Sequence, residues 1–473
     1  MAQSGIVTEN FDRSIRPQDD LYRHVNGRWL DSFAIPPDRG SDGAFRELRD
    51  RSELRTRRII EEQDGDSLVG ALYGSFMDVE RVEALGARPL IPELRQIAAA
   101  ADARALARVM GGLSRGGIGD VLGLYVDTDP GEPTRYVLNL HQSGIGLPDE
   151  AYYREDRHAP VRDAYLAHIA RMFRLVAAAL PDADGLGLGR TEPGEVAERV
   201  YGLEARLAAA HWDVVKDRDA TATYNPTDFA GLESLGPGFP WEEWAAAIDQ
   251  AAPARWDALV VMEPSYLAAL GSLWREAPLA DWRAWAAWRV VSARAGLLSD
   301  DLVQAAFDFN GRTLQGMEQL RDRWKRGVSL VDSHLGELVG RLYVERHFPA
   351  GHKDRMVQLV ADLIEAYRRS IRELDWLGDE TKAKALAKLA AFTPKIGYPD
   401  KWRDYSGLRL DRADLVANAR AASAFEADRE LRKLGGPVDR SEWFMHPQTV
   451  NAYYNPGMNE IVFPAAILQP PFF

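Results

Sequence analysis

Apolar residues recur every three or four positions along most of this chain, and this periodicity is the strongest constraint on its fold. Residues 195–210 carry one apolar stripe, formed by Val196, Val200, Leu203 and Leu207. The same spacing runs through residues 356–374. A third helix is predicted to begin near Asp379, a plausible N-cap, and to end where Thr393-Pro394 forbids its continuation. The chain is therefore predicted to be mainly α-helical.

Strand-like patterns are found at residues 121–126 and again near the end of the sequence. There, residues 449–454 and 460–463 flank the turn residues Asn455-Pro456-Gly457, which predicts a β-hairpin. A chain of 473 residues exceeds what one hydrophobic core usually supports. The prediction is a large helical N-terminal lobe, followed by a short β-hairpin that begins a second lobe.

The formal net charge is −13, from 58 Lys and Arg against 71 Asp and Glu. This excess disfavours attraction to nucleic-acid phosphates and to anionic lipid surfaces, so no nucleic-acid partner is expected. No stretch approaches the length of apolar sequence that crosses a membrane, and residues 1–16 lack the pattern of a signal peptide. We expect no membrane span, and a location that is cytoplasmic or reached by export without a recognisable signal peptide.

Cysteine is absent, which excludes disulfides, thiolate zinc sites and cysteine nucleophiles. Any metal must then be bound by histidines and carboxylates. The nine histidines include no pair with the spacing of an H-E-x-x-H zinc helix. His347 and His352 lie five positions apart across Pro349. His334 and Glu337 have the spacing of two metal ligands on a helix, but the sequence pattern supplies no third ligand for them. No complete metal site is predicted within these residues.

One serine lies in a pattern that resembles a nucleophile elbow, because residues 112–116 read GLSRG around Ser114. An elbow needs a strand before the serine and a helix after it. Here residues 103–110 predict a helix, and the strand at 121–126 follows. A glycine-rich helix end is the favoured interpretation, and a serine hydrolase that uses Ser114 is the minor alternative.

Several longer motifs point to one family. The tail, residues 450–473, reads VNAYYNPGMNEIVFPAAILQPPFF, and the front, residues 16–29, reads RPQDDLYRHVNGRW. Between them lie QSGIGLP at 142–148, LYV at 342–344 and IGYP at 396–399. In these motifs and their order, the chain resembles the neprilysin and endothelin-converting-enzyme family of zinc metallopeptidases. It is most similar to the cysteine-poor, soluble mycobacterial (actinobacterial) zinc metalloproteases of that family.

The resemblance implies a fold of two mainly helical lobes around a central chamber, in which a thermolysin-like catalytic lobe cleaves oligopeptides. It assigns residues 1–35 to a segment that packs on the catalytic lobe and residues 36–440 to a helical lid lobe. Residues 441–473 then begin the catalytic lobe. The implied partners are oligopeptide substrates and a C-terminal catalytic part that lies beyond these residues.

The resemblance also implies a substrate-binding surface. Asn451 and Ala452 match an Asn-Ala pair that holds the substrate backbone, with plain strand structure as the alternative. Ile467, Phe472 and Phe45 match apolar residues that line the pocket for the side chain after the cleaved bond. Core packing is the alternative for these three residues.

A charged contact is implied less completely. Arg49 matches an arginine near the C-terminal side of the substrate. The family's second arginine falls on Ser41 in this sequence, and Arg39 lies two positions away. The resemblance therefore leaves recognition of a C-terminal carboxylate open.

The family's H-E-x-x-H helix and its downstream E-x-x-x-D helix have no counterpart in these residues and would follow Phe473. A zinc peptidase needs three protein ligands and an activated water. The sequence is therefore expected to be the N-terminal portion of a zinc metalloendopeptidase, with zinc in the complete enzyme and none bound by these residues, which are inactive alone. A noncatalytic peptide-binding relative is the main alternative.

Overall fold

The computed structural model describes residues 6–180, 185–186 and 191–473. Contacts divide the chain into two compact units. Unit 1 combines the chain up to Gln63 with residues 317–403 and 441–473, and unit 2 combines residues 64–316 and 404–440. Each unit is thus assembled from segments that are far apart in sequence. The domain limits at 35/36 and 440/441 stay predictions.

Helices form most of the regular structure, so the predicted mainly α fold is confirmed. In chain order the helices are α1 (Leu21–Ser32), α2 (Ala44–Glu61), α3 (Leu68–Met77), α4 (Val79–Leu85), α5 (Ile91–Ala99), α6 (Ala103–Arg115), α7 (Ala151–Arg154), α8 (Ala159–Ala179), α9 (Pro193–Ala208), α10 (Phe229–Leu235), α11 (Trp241–Ile248), α12 (Pro264–Glu276), α13 (Leu279–Arg294), α14 (Asp300–Phe307), α15 (Arg323–His347), α16 (Ala350–Glu373), α17 (Asp379–Ala390) and α18 (Leu415–Leu431). Short 3-10 turns include Lys216–Arg218 in unit 2 and Ala465–Ile467 in unit 1.

The three helices predicted from periodicity are present as α9, α16 and α17, with small shifts at their ends. Helix α9 begins at Pro193, whose fixed φ suits a first helical turn, and it buries the predicted apolar stripe. In α17 the N-cap is Gly378, and Asp379 is the first helical residue rather than the cap. A carboxylate in the first turn still interacts favourably with the helix dipole.

Unit 2 contains a four-stranded sheet. Its strands are β1 (Leu122–Thr128), β2 (Tyr136–Gln142), β3 (Pro226–Thr227) and β4 (Leu259–Val261), in the order β1-β2-β4-β3. Strands β1 and β2 form an antiparallel hairpin, β2 is parallel to β4, and β3 is antiparallel to β4. The strand predicted at 121–126 is β1, whereas the other three strands were not predicted from the sequence.

Tryptophans fill much of the core of unit 2. Trp282, Trp285 and Trp288 recur every three residues along α13 and are all buried. Trp241 and Trp244 on α11 meet Phe239 edge to face, with ring centroids 4.7 and 5.8 Å away. Such pairs contribute roughly 0.5–1.5 kcal/mol each beyond the burial of their area. Unit 2 therefore has an extensive core of its own.

Unit 1 contains the predicted C-terminal hairpin. Its strands are β6 (Tyr453–Asn455) and β7 (Glu460–Pro464), and β5 (Thr393–Gly397) adds a third strand parallel to β7. The sheet order is β5-β7-β6. The first hairpin strand is shorter than the predicted 449–454, because the Thr449 N–H donates to the His446 carbonyl at 2.9 Å and forms a turn.

A small apolar cluster and a buried ion pair hold this sheet. The cluster consists of Val344, Phe348, Met356, Val360, Ile396, Ala465 and Leu468. Lys395 on β5 lies 2.6 Å from Glu460 on β7, and both side chains are buried. The stripe on α16 continues past the cluster to Leu363 and Tyr367, whose side chains are exposed. Over the part of the chain that the structure describes, no helix combines the length and apolar character that crossing a membrane requires.

Candidate functional site

Helix α2 in unit 1 carries two of the predicted site residues, Phe45 and Arg49, four positions apart near its N-terminus. The helix begins after Gly43, whose φ of 149° is a conformation that glycine adopts readily. Both side chains are exposed, although Leu48 between them is buried. The two predicted residues therefore lie on an open part of the helix rather than in a core.

The middle of α2 is hydrogen-bonded to the tail of the chain. The Ser52 hydroxyl donates to the Gln448 carbonyl at 2.7 Å, and this contact is buried. One turn further on, Arg55 donates to the Gln469 side chain at 2.9 Å. These bonds fix the helix against segments that directly precede Asn451 and follow Ile467.

Phe45 and Phe472 form the one ring contact between predicted site residues in the described chain. Their ring centroids are 4.3 Å apart, at an interplanar angle of 37°. The side chains remain 47% and 40% exposed. This pair is therefore an accessible apolar surface, and core packing does not account for it.

The arginines near this aromatic pair differ in their bonding. Arg39 is engaged by three carboxylates, with contacts of 3.3 Å to Asp38, 3.2 Å to Asp42 and 3.0 Å to Asp50. Arg49 is exposed and has no hydrogen-bond or ion-pair partner among the described residues. Of the two, only Arg49 can bind an anionic group without first breaking an internal ion pair.

Asn451 and Ala452 lie directly before β6, which is the terminal strand of its sheet. The Asn451 side-chain oxygen accepts from the Ala452 N–H at 2.9 Å. The side-chain NH₂ group of Asn451 has no partner within the described residues. The outer edge of β6 likewise pairs with no strand in the described chain, and such an edge can bind an extended peptide.

Two glycines of α15 allow the segment before Asn451 to approach closely. A Cβ added at Gly336 would lie 2.0 Å from the His446 ring, and one at Gly340 would lie 2.7 Å from Pro447. The Gln448 side chain also donates to the Gly336 carbonyl at 2.8 Å. The path of the chain into Asn451 therefore depends on two positions without side chains.

Ile467 lies in the tail of the chain, after strand β7. It ends the 3-10 turn Ala465–Ile467, which is joined to the segment before Asn451 by a 2.8 Å bond from the Ala466 N–H to the Pro447 carbonyl. Ile467 is half-buried and packs on the small apolar cluster of unit 1. Only the exposed part of the Ile467 side chain can therefore contact a ligand.

The remaining sequence candidates have structural roles. Ser114 lies in the last turn of α6, and β1 follows, so the strand-then-helix order of a nucleophile elbow is not formed. Glu337 accepts a 2.7 Å bond from the Arg403 backbone N–H. Within the described ranges, no three His, Cys, Asp or Glu side chains converge in a way that could hold a metal ion. The donors there do not fit a zinc site, which needs three protein ligands.

Several contacts of this site were not predicted from the sequence, namely the bonds of Ser52 and Arg55, the strand β5, and the two glycines of α15. The four-residue spacing of Gly336 and Gly340 was the available sequence signal, since neighbouring glycines on one helix face permit a close approach. The bonds of Ser52 and Arg55 join residues that are 396 and 414 positions apart, and β5 pairs with β7 across the intervening residues 398–459.

Sequence profiles identify relatives of the chain. A profile of peptidase family M13 matches residues 17–399, and a second profile of the same family matches residues 451–473. Endothelin-converting enzyme-like 1 from Rattus norvegicus is 27% identical over 99% of this chain and 62% of that protein. Neprilysin from Homo sapiens is 27% identical over 99% of this chain and 66% of its own length. This chain thus spans less than two thirds of these relatives.

Solved structures show the same relationship. The zinc metalloprotease Zmp1 of Mycobacterium tuberculosis, in complex with an inhibitor, is 53% identical, with a TM-score of 0.93 over 99% of this chain and 71% of that chain. PepO from Lactobacillus rhamnosis is 27% identical, with a TM-score of 0.85 over 97% of this chain and 72% of that chain.

Proposed function

Because the chain belongs to peptidase family M13, we propose that it supplies a substrate-binding surface of a zinc metalloendopeptidase that hydrolyses oligopeptides. The observation that carries this proposal is the outer edge of β6, which pairs with no strand in the described chain. Asn451 lies two positions before this strand, and its side-chain NH₂ group has no partner among the described residues. A peptide in extended conformation can add to this edge as a further strand, since each residue offers one N–H and one C=O for pairing.

The predicted substrate-binding side chains have separable roles in the proposal. The Asn451 NH₂ group donates to a substrate carbonyl and so fixes the position of the peptide along the edge. Phe45 and Phe472 offer an apolar surface to one substrate side chain, with Ile467 contributing its exposed part. Arg49 is placed to attract a substrate carboxylate, because its charge is not neutralised by an internal partner.

We place the zinc ligands outside these 473 residues. The sequence has no H-E-x-x-H motif and no cysteine, and the described side chains do not converge on a metal position. When bound in the complete enzyme, zinc supplies the activation of water and polarisation of the carbonyl that peptide hydrolysis requires. In the proposal, residues 1–473 orient the peptide and take no part in that activation.

The test compares residues 1–473 with the polypeptide encoded by the whole reading frame. We expect an in-frame H-E-x-x-H motif downstream of the Phe473 codon. We further expect about one zinc per chain and peptide hydrolysis for the longer polypeptide, and neither for residues 1–473 alone. Elemental analysis after gel filtration and a quenched-fluorescence peptide assay measure the two properties.

A noncatalytic peptide-binding protein is the second candidate, since the outer edge of β6 pairs with no described strand and the described side chains include no metal cluster. A stop codon directly after Phe473, together with retained binding of a labelled peptide, would favour this candidate. Stoichiometric zinc held by residues 1–473 would instead contradict the proposed placement of the ligands.

A further inference from the structure

Two carboxyl groups in unit 2 lie within hydrogen-bonding reach of each other. Glu263 is fully buried and directly precedes α12, and Asp217 is a half-buried residue of the 3-10 turn Lys216–Arg218. Glu263 Oε1 and Asp217 Oδ1 are both buried, and neither accepts a hydrogen bond from any donor within the described residues.

Two carboxylates cannot bond to each other without a proton, because an ionised carboxylate only accepts. The second oxygen of Glu263 is occupied, since it accepts from the Gln142 N–H at 2.7 Å. One shared proton is therefore the arrangement that satisfies the pair. Without that proton, two negative charges would lie together in a site that water does not reach.

The pair lies in the middle of a loop that has firm attachments at both ends. At its start, the Trp212 backbone exchanges two hydrogen bonds with the Gln142 side chain, at 2.7 and 2.9 Å. At its end, the Asn225 side chain donates to the Val261 carbonyl at 2.9 Å. These bonds involve no titrating group. Between them, Val214 and Val215 are exposed, whereas Asp217 turns a buried carboxyl oxygen towards Glu263, which lies between β4 and α12.

We infer that Glu263 and Asp217 act as a pH-dependent clasp, which fixes residues 213–222 to unit 2 while the pair shares a proton and frees this loop when the proton is lost to water. The protein thus has a built-in switch in a segment remote from the proposed peptide edge in sequence. This inference is independent of the proposed peptidase activity, and its test needs no substrate.

The direction of the switch follows from proton linkage. Burial, together with the neighbouring Asp217, raises the pKa of Glu263 from 4.5 to about 8. In the opened loop the carboxyl is solvated and regains an ordinary pKa. The stabilisation of the closed loop is therefore complete below about pH 4.5 and is lost as the pH rises towards 8. Above pH 8 no further loss is expected.

Other titratable groups also face the pair. Tyr125 on β1, Tyr266 on α12 and His211 interact electrostatically with one or both carboxyls. Further charged or titratable groups surround these residues, namely Asp127 beside Tyr125, and Glu150 and His141 beside His211. Burial lowers the pKa of His211, so this imidazole is neutral over most of the relevant range. Because histidines can also titrate between pH 5 and 8, the test must separate their effect from that of the carboxyl pair.

The test is hydrogen exchange measured by mass spectrometry from pH 5 to pH 9, corrected for the intrinsic pH dependence of exchange. For the wild type we expect the opening of residues 213–222 to increase by up to about tenfold per pH unit until about pH 8. Peptides that contain Trp212 or Asn225 should show no such trend, because their attachments do not titrate.

Glu263→Gln is the decisive variant. The glutamine NH₂ can donate to Asp217 while its oxygen still accepts from Gln142, so the clasp no longer needs a proton and its protection should become independent of pH. Asp217→Asn is a second variant that should weaken the trend. Asp219→Asn is the matched control, because Asp219 is exposed and caps only Thr221 and Ala222; it should retain the wild-type profile.

Two outcomes would overturn the inference. One is protection of residues 213–222 that stays constant from pH 5 to pH 9 in the wild type. The other is a Glu263→Gln protein, folded by circular dichroism, that keeps the wild-type pH dependence, since the trend would then come from a group other than the carboxyl pair.

Discussion

Single side chains at the candidate site differ in how much of their bonding capacity the fold already uses. Arg39 has all its charge neutralised by three carboxylates, whereas Arg49, four positions after Phe45, is exposed and unpaired in the described chain. Asn451 uses its oxygen locally and leaves its amide donor free. Polar groups that the fold leaves without a partner in the described chain are available to position a ligand.

The role of Asn451 can be tested in an enzyme that has a complete zinc site. Asn451→Ala should lower kcat/KM by about 5- to 150-fold, because loss of one positioning hydrogen bond costs roughly 1–3 kcal/mol of transition-state stabilisation. Bound zinc and thermal stability should not change. Ala452→Ser is the control and should retain near wild-type turnover. If the Asn451→Ala enzyme keeps wild-type kcat/KM, then Asn451 has only a structural role before β6.

Phe472 should determine which substrate side chains are preferred rather than the overall peptidase activity. Phe472→Ala removes half of the exposed aromatic pair, so the ratio of kcat/KM between peptides with large and small side chains should change by about 10- to 200-fold. Trp376→Ala is a suitable control, since Trp376 is an exposed aromatic residue of the same unit. Equal ratios in wild type and Phe472→Ala would contradict a pocket at this position.

Arg49 should distinguish peptides by their C-termini. Arg49→Gln is expected to raise KM by about tenfold for short peptides with a free carboxylate and to leave C-terminally amidated peptides unaffected, because a charge-assisted bond contributes roughly 1.5–3 kcal/mol when desolvated and less when exposed. Arg51→Gln provides the control, as Arg51 pairs with Glu47 on the same helix. An equal effect on both peptide classes would argue against carboxylate recognition.

At the scale of elements, the close approach between α15 and the segment 446–448 helps to decide where the outer edge of β6 lies. Helix α15 presents Gly336 and Gly340 to His446 and Pro447 at distances that leave no space for a Cβ. The tail is then held by Ser52 and Arg55 of α2 and by the parallel pairing of β5 with β7. A hairpin alone would be marginal, and the third strand makes it a stable sheet.

Gly336→Ala should therefore destabilise unit 1. Alanine is the better helix former by roughly 1 kcal/mol, but its Cβ would lie 2.0 Å from the His446 ring, and overpacking of this kind costs about 1–3 kcal/mol. Gly202→Ala is the matched control, because Gly202 lies within α9 with no atom near its added Cβ. Urea denaturation followed by circular dichroism should show opposite shifts for the two variants, and a stabilised Gly336→Ala protein would contradict the close approach.

At the scale of the whole molecule, acids buried within unit 2 make its stability depend on pH. Burial raises the pKa of Asp120 to about 6 and that of Glu204 to about 7. The Glu204 carboxyl accepts from the hydroxyl groups of Tyr153, at 2.7 Å, and Tyr165, at 3.0 Å. Because the pKa of Glu204 is higher in the folded state than in the unfolded chain, the proton on this carboxyl stabilises the fold fully below about pH 4.5. This contribution to the free energy of unfolding is lost as the pH rises.

Glu204→Gln should remove the fall in stability with rising pH, because a glutamine side chain does not titrate. Its amide oxygen can still accept from the hydroxyl groups of both tyrosines. The stability of the variant relative to wild type should rise by up to about 3 kcal/mol between pH 4.5 and pH 7 and then stay constant. Urea denaturation at pH 5, 6, 7 and 8 measures this difference. Glu198→Gln, an exposed change on the same helix, should show a difference that does not vary with pH, and the same flat result for Glu204→Gln would contradict its buried titration.

Local sequence determined the helical class, the C-terminal hairpin and the absence of a thiolate or H-E-x-x-H zinc site. Periodicity, turn residues and residue counts are properties of neighbouring positions, so they can be read without the fold. The motifs at 142–148, 396–399 and 450–473 identified the family in the same way. Tertiary structure alone decided that β5 pairs with β7, that Arg39 is occupied while Arg49 is free, and that Glu263 meets Asp217. The strand pairing and the carboxyl pair depend on distances between residues far apart in sequence, and the bonding of Arg39 depends on how residues 38–50 fold around it. Such distances are fixed only when the segments pack together.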